Sequence, residues 1–490
     1  MTTLYIFSVL LLLDPNSITL CYIFYTRIRI PDEKKKKNNI DLYCLHRSIP
    51  IPLFQYYDMI LLQHIKPLCR NKRLIQSIRD YRVMAIESSC DDSCVALLEK
   101  SPSEKQPIII DQFKKTLHSA DIGGIMPTAA YNYHMATMAK MVREFCSKHG
   151  ISSLNPPDLL CVTRGPGMPG SLSASTEFAK GLSVAWNVPL IGVHHMLGHL
   201  LTANLPKKDQ PNSPPPQYPF LSLLCSGGHT MLVLLKSLTE HEIIINVCDI
   251  AVGDSLDKCA RELGMYGNML GKELEKYIDA IPSEEKQEFD NMNVDTRISN
   301  ELKFRLTLPF GAPKHGISED IKFAFAHFLS NIQEYKANYY PGGDKLDERT
   351  KKFIAYKTQE FVFDHIVDRI NISFKKHGLC HRNSDGILIG VKDFICSGGV
   401  AANKRLREKL LTNLKIEELG TDKINFHFPD LSLCTDNAIM IGAAGIEIFE
   451  QLRLKTDLGF TPIKKWPLDN LLDVPGWEKI DDEEYNRICK

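Results

Sequence analysis

The sequence predicts an α/β protein built from two related halves that face a cleft. Short apolar strands alternate with helical segments, and one strand–turn–strand pattern occurs twice. Arg82 to Ile86 is apolar, Glu87 to Ser93 is rich in turn formers, and Cys94 to Leu98 is apolar again. Much later, Phe220 to Leu224 and Met231 to Leu235 flank the turn Cys225-Ser226-Gly227-Gly228-His229-Thr230. Each reads as a hairpin with polar residues at its tip. A pattern that recurs in this way suggests duplication, although one hairpin pair does not establish it.

The other elements follow in order. Asp158 to Thr163 is a buried strand, Arg164 to Gly170 a loop, and Ser171 to Trp186 a helix with Ser171 or Ser173 as N-cap. Pro189 to Val193 is a strand leading into a histidine-rich helix start. Asp393 to Cys396 is a strand, Ser397-Gly398-Gly399 a tight turn, and Ala401 to Leu411 an amphipathic helix. Strands alternating with helices at this spacing imply mostly parallel sheets flanked by helices. Residues 206–217, 336–352 and 375–392 are Pro-rich or polar and read as loops.

Residues 1–80 do not read as part of this fold. The apolar runs Leu4–Leu13 and Ile18–Tyr25 are too short to span a membrane and are broken by Asp14-Pro15-Asn16. No basic residue precedes the first run, so it makes a poor secretory signal. Residues 59–82 carry Lys66, Arg70, Lys72, Arg73, Arg79 and Arg82 among Leu and Ile, against one acid, Asp80. This is the composition of a mitochondrial presequence; the alternative is an irregular N-terminal extension.

Composition narrows the function class. The 490 residues hold 59 Lys plus Arg and 59 Asp plus Glu, with 44% hydrophobic and 24% charged residues. That balance excludes a disordered chain and a strongly basic histone-like binder, but leaves room for a local basic face that grips RNA. The 14 cysteines form no C-x-x-C pair, so reduced thiols are expected.

His195 and His199 lie four apart, which on a helix sets both imidazoles on one face within reach of one cation. Met196 occupies the place where a zinc peptidase carries its glutamate, so peptide hydrolysis has no local base. The best third ligand is Asp436 in Cys434-Thr435-Asp436-Asn437-Ala438, where the competing role is N-cap of the helix Ile439–Ile446. Two histidines and a carboxylate suit a divalent ion that also binds substrate oxygens. Ser226 to Thr230 form a nest for phosphate or carboxylate, and Ser397 to Asn403 place a glycine turn at a helix start. Asp257, near the start of a further helix, either binds a ribose or caps that helix.

In sequence order, IESSCDDS, VTRGPG, GVHHMLGH, SGGHT, LDK, SGGVAAN and CTDNA resemble the tRNA N6-adenosine threonylcarbamoyltransferases, and most closely their mitochondrial, stand-alone branch. The likeness runs from about Val83 to Ile448. It implies an actin-like two-lobed fold of duplicated mixed sheets flanked by helices around a central cleft. The lobes are expected at 81–200 and 201–448, the last helix packing back on the first lobe, with a tail at 449–490. It also implies transfer of a threonylcarbamoyl group from threonylcarbamoyl-adenylate, made by a separate synthase, to N6 of adenosine 37 in tRNAs reading codons that begin with A.

Carried over by motif, His195, His199 and Asp436 are the implied ligands of one divalent ion per subunit. Ser226, Gly227, Gly228, His229, Thr230, Asp257, Ala402, Asn403 and Thr435 are the implied substrate contacts, with Gly271 and Glu275 on a reduced match. No residue is assigned as general base. A mitochondrial homodimer without a membrane segment is expected. The chain departs from the family pattern at Leu197, at Thr128 (where glutamate is usual, although His134 remains), at Leu270-Gly271-Lys272 and at Phe323–Phe328, which includes His327. An actin-like ATPase or sugar kinase would not need the histidine pair, and a non-catalytic scaffold would not need to keep all three ligands.

Overall fold

A computed structural model of the chain describes residues 3–14, 17–27, 79–122, 124–207, 214–294, 301–310, 321–342, 345–379 and 386–489. Most of the basic stretch 59–82 lies outside them. Thr3–Asp14 (β1) and Ser17–Arg27 (β2) pair antiparallel.

From Tyr81 onward the chain builds two sheets by the same rule. In the first, Tyr81–Glu87 (β3), Asp92–Lys100 (β4) and Ile108–Thr116 (β5) form an antiparallel meander. Helices Pro127–His149 (α1) and Pro169–Trp186 (α2) then deliver Leu159–Gly165 (β6) and Leu190–His194 (β7), parallel to β3, for the order β5-β4-β3-β6-β7. The short helix His195–Leu201 (α3) follows β7 directly.

The second sheet repeats this. Phe220–Cys225 (β8), Thr230–Leu235 (β9) and His241–Val247 (β10) form the meander. Helices Val252–Glu262 (α4), Leu270–Asp279 (α5) and Ser283–Asn291 (α6) come next, then the two-residue strand Lys322–Phe323 (β11) beside β10. Ala326–Tyr339 (α7) and Glu348–His377 (α8) lead to Asp393–Ser397 (β12), parallel to β8. Lys404–Asn413 (α9) precedes Asn425–His427 (β13), and the order is β11-β10-β9-β8-β12-β13.

The shared order is the duplication that the two hairpins suggested. The sheets are mixed rather than mostly parallel, because each hairpin grows into a three-stranded antiparallel meander before the helical crossovers begin.

Ala438–Glu447 (α10) is apolar almost throughout and packs, with α3, between the two sheets. It lies so close to the first sheet that a Cβ on Gly445 would sit 2.2 Å from the Cys161 sulfur. The other face of the first sheet is covered by α1 and α2, and that of the second by α4, α5, α7 and α8. After α10 the chain folds back as the pair Leu454–Thr456 (β14) and Trp477–Lys479 (β15), then Asp482–Cys489 (α11). The tail encloses Arg164 of the VTRGPG run. Its guanidinium is buried over Phe460 and Trp466 and donates to the Pro475 carbonyl at 2.7 Å.

Three local expectations change. Helix α2 begins at Pro169 with Met168 as N-cap, since proline fits the first helical position; Ser171 is buried inside the helix. Helix α7 continues to Tyr339 and α8 starts at Glu348, within the expected loop 336–352. The end of α8 likewise extends to His377, where Lys375, Lys376 and His377 suit the negative end of the helix dipole.

Candidate active site

The site begins where buried strands end. β7 delivers His194, whose fully buried Nδ1 accepts hydrogen bonds from the backbone N–H of Met196 and Leu197, at 3.2 and 3.4 Å. Its Nε2–H donates to the Trp466 carbonyl at 2.9 Å. His194 is thus a neutral N-cap for α3, and burial, reinforced by the charge on His195, pushes its pKa down to about 3.

With His194 as cap, His195 and His199 project from one face of α3, their rings 4.8 Å apart and nearly perpendicular. Asp436 reaches them from the segment before α10. Its Oδ1 lies 3.6 Å from His195 Nε2 and 3.1 Å from His199 Nε2. The donor atoms of the three residues all fall within 4.8 Å of one another. The cap of α10 is Asn437, whose Oδ1 accepts from Met440 N at 2.9 Å, so the carboxylate of Asp436 is left to the site. Burial favours a protonated Asp436, but the two imidazoles overcome this and hold it well below the usual carboxylate range. The donor set, its half-buried position and its one-sided convergence fit a divalent cation.

The groups behind these three side chains were not read from the sequence. Glu87, at the buried end of β3, has its Oε2 3.4 Å from His195 Nδ1. Burial opposes the charge on His195, yet the Glu87 and Asp436 carboxylates outweigh it and raise its pKa to about 9. Lys114 reaches from β5 to donate to the Asp436 carbonyl at 2.9 Å and the Thr435 hydroxyl at 3.2 Å, while pairing with Asp92 at 2.5 Å. A polar residue closing a buried strand was a readable signal for Glu87. A lysine on an edge strand gives none.

The hairpin tip Ser226–His229 opens beside the triad. Ser226 Oγ accepts from His229 N at 3.0 Å, closing the turn, and Gly227 and Gly228 are exposed. Burial, then the charges of His195 and His199, lower the His229 pKa to about 4, so that imidazole is neutral at pH 7. Thr230 is buried, and its hydroxyl accepts from Val252 N at 2.8 Å, holding α4 to the hairpin. The second glycine turn touches the same hairpin. Gly398, at φ +93°, lies so close that a Cβ would sit 2.4 Å from the Cys225 carbonyl oxygen.

The remaining expected contacts form a linked group farther along α4. Asp257 Oδ1 accepts from Gly271 N at 2.5 Å, anchoring the first turn of α5 rather than capping its own helix. Burial raises the Asp257 pKa, and the Gly271 bond opposes that. Glu275 accepts from Lys404 N at 3.1 Å. Asn403, beside Ala402, is almost fully buried and caps α9 through Arg405 N and Leu406 N, with its amide on Gln359.

Of the departures, Thr128 stands in the exposed first turn of α1, and Leu270 packs in the core. His134 is buried under the first hairpin, bonded to Ser93 Oγ at 2.7 Å and the Cys90 carbonyl at 2.8 Å. Phe323–Phe328 keeps an ordered turn, because Asp249 accepts from both Phe325 N and Ala326 N.

The sequence model of the family described as tRNA N6-adenosine threonylcarbamoyltransferase matches residues 109–443. The mitochondrial tRNA N6-adenosine threonylcarbamoyltransferase of Schizosaccharomyces pombe is 35% identical over 444 residues, covering 89% of this chain and 96% of that protein. Bacterial relatives of the same name from Nitrosomonas europaea and Listeria innocua are 30% and 31% identical, covering 79% and 75% of this chain and 99% and 92% of their own lengths. With its duplicated sheets, the convergence of His195, His199 and Asp436, and this similarity along most of its length, the chain belongs to the tRNA N6-adenosine threonylcarbamoyltransferase family, as a mitochondrial tRNA-modifying transferase.

Proposed function

We propose that the chain transfers the threonylcarbamoyl group from threonylcarbamoyl-adenylate to N6 of adenosine 37 in tRNAs that read codons beginning with A. The convergence of His195, His199 and Asp436 on one point carries this reading. One divalent ion per subunit, held by those three, would supply Lewis-acid polarisation of donor oxygens.

The chain's own residues do the rest. The donor is a mixed anhydride, already activated, so holding it in line with the adenine amine and excluding water supply most of what the reaction needs. Gly227 and Gly228 lack side chains and let the donor approach the hairpin backbone, while Ser226 holds the turn. His229, neutral at pH 7, can exchange hydrogen bonds with the donor without adding charge. Thr435 lines the same opening, positioned by Lys114. Asp257, Gly271, Glu275, Ala402 and Asn403 would hold the adenylate, and Thr230 and Asn403 do so while also holding α4 and α9 in place.

The first sheet with its helices (81–200) and the second (201–448) are read as the two lobes, and 1–80 as an extension carrying the targeting sequence. Among the described residues no helix is long and apolar enough to cross a membrane. A homodimer is part of this reading.

The test is a transfer assay. Full-length protein, threonylcarbamoyl-adenylate and unmodified tRNA are incubated with and without a chelator, and nucleosides are read by mass spectrometry. Threonylcarbamoyl-adenosine that vanishes on chelation supports the reading. No product with the adenylate still bound would contradict it.

A further inference from the structure

Glu87 is a fully buried carboxylate, and such a group is costly unless every oxygen is engaged. Oε1 accepts from Ser89 N at 2.5 Å, and Oε2 accepts from the Thr163 hydroxyl. Oε2 also lies 3.4 Å from His195 Nδ1, and Ser89 Oγ lies 3.2 Å from the same nitrogen. A carboxylate only accepts, and a neutral imidazole carries one N–H and one lone pair. In the neutral ring that a cation requires, Nδ1, facing Glu87, therefore holds the hydrogen, and the lone pair is left on Nε2. That is the nitrogen pointing toward Asp436 Oδ1.

His199 is supported differently. Its Nε2 faces the same carboxylate oxygen at 3.1 Å, but its Nδ1 is buried without a hydrogen-bond partner among the described residues. The two histidines are thus unequal. One is oriented from behind by a carboxylate at the end of β3, and the other by packing alone.

We propose that Glu87 is a positioning residue of this centre: by holding the Nδ1–H tautomer of His195, it fixes which nitrogen meets the cation and sets how tightly the site binds it. Partners of this kind, behind a ligating histidine, change metal affinity by about 10–100-fold when removed. The inference rests on the metal reading above and adds to it a residue that touches neither cation nor substrate.

The experiment uses the full chain and Zn²⁺ as probe. Affinity is measured by competition with a chromophoric chelator, and the ring tautomer by long-range nitrogen NMR on ¹⁵N-histidine protein, with His195 assigned by its absence in a variant. In the wild type with Zn²⁺ bound, His195 is expected to keep its hydrogen on Nδ1. Glu87→Gln keeps the shape but loses the charge, and is expected to bind Zn²⁺ at least about tenfold more weakly. Thr163→Val is the control, because it removes a donor to Glu87 without touching His195. Its affinity is expected to stay within about threefold of wild type even if its thermal stability falls.

Wild-type affinity in Glu87→Gln would overturn the proposal, as would parallel weakening in both variants. Should Glu87→Gln not fold, the wild-type tautomer decides: Zn²⁺ bound through Nδ1 refutes the assignment. A wild-type chain that binds no Zn²⁺ would defeat the metal reading itself, an outcome distinct from a Zn²⁺ site indifferent to Glu87.

Discussion

Asp436 Oδ1 lies 3.1 Å from His199 Nε2, although the two residues are 237 positions apart in the chain. Asp436 stands just before α10, and His199 lies on α3. Both helices are packed between the two sheets, so the site exists only when these helices are docked together.

That docking depends on close contact. Gly445 faces Cys161 with no room for a side chain. Gly445→Val is expected to destabilise the protein by about 1–3 kcal/mol through overpacking, and to lower transfer activity in proportion to the unfolded fraction. Thermal unfolding followed by circular dichroism checks this. An unchanged midpoint would mean that α10 is not seated on the first sheet as described.

Asn437 takes the cap and leaves the Asp436 carboxylate to the histidine pair. Its side chain accepts from Met440 N and donates to the carbonyls of Leu433 at 3.2 Å and Thr435 at 2.8 Å. Asn437→Ala should cost about 1–2 kcal/mol as a lost cap. It should also weaken metal binding, because the neighbouring Asp436 is then free to turn back and cap the helix. Urea denaturation measures the first effect and chelator competition the second.

Lys114 ties the Thr435–Asp436 turn to β5. Lys114→Gln is expected to lower kcat/KM for transfer about tenfold, the consequence of losing one charge-assisted contact of about 1.4 kcal/mol, with little change in unfolding temperature. Lys114→Arg should recover part of the activity. Equal loss in both variants would point to Lys114 touching substrate instead of positioning the turn.

The metal-free centre should respond to pH with a definite sign. The folded-state pKa of His195 is raised to about 9, above an unfolded value of about 6.5. Its contribution to stability is therefore complete below pH ~6.5 and is lost as pH rises through ~9. A cation needs the neutral ring, so uptake at pH 7 should release about one proton, and affinity should climb between pH ~6.5 and ~9. Calorimetric titration in buffers of different ionisation enthalpy counts that proton.

The histidine pair was legible because helical spacing alone puts positions four apart on one face. Asp436 was ambiguous because the sequence offers two caps in a row, and only the fold shows that Asn437 takes the role. Asp257, Thr230 and Asn403 also illustrate the limit of reading residue type. Each has the chemistry of a ligand contact, and each also bonds to the backbone of a neighbouring helix start. The hairpin repeat suggested the duplication, whereas the mixed order of each sheet depends on strand pairing between distant segments. Lys114 was invisible for the same reason: its partners Thr435 and Asp436 are brought to it by the docking of α10.

The most direct test of the metal centre is transfer activity in a variant carrying both His195→Ala and His199→Ala, beside the wild type, with folding checked by circular dichroism. With the proposed metal centre removed, threonylcarbamoyl-adenosine formation is expected to fall at least about a hundredfold while the fold persists. Full transfer by a folded double variant would contradict the metal reading.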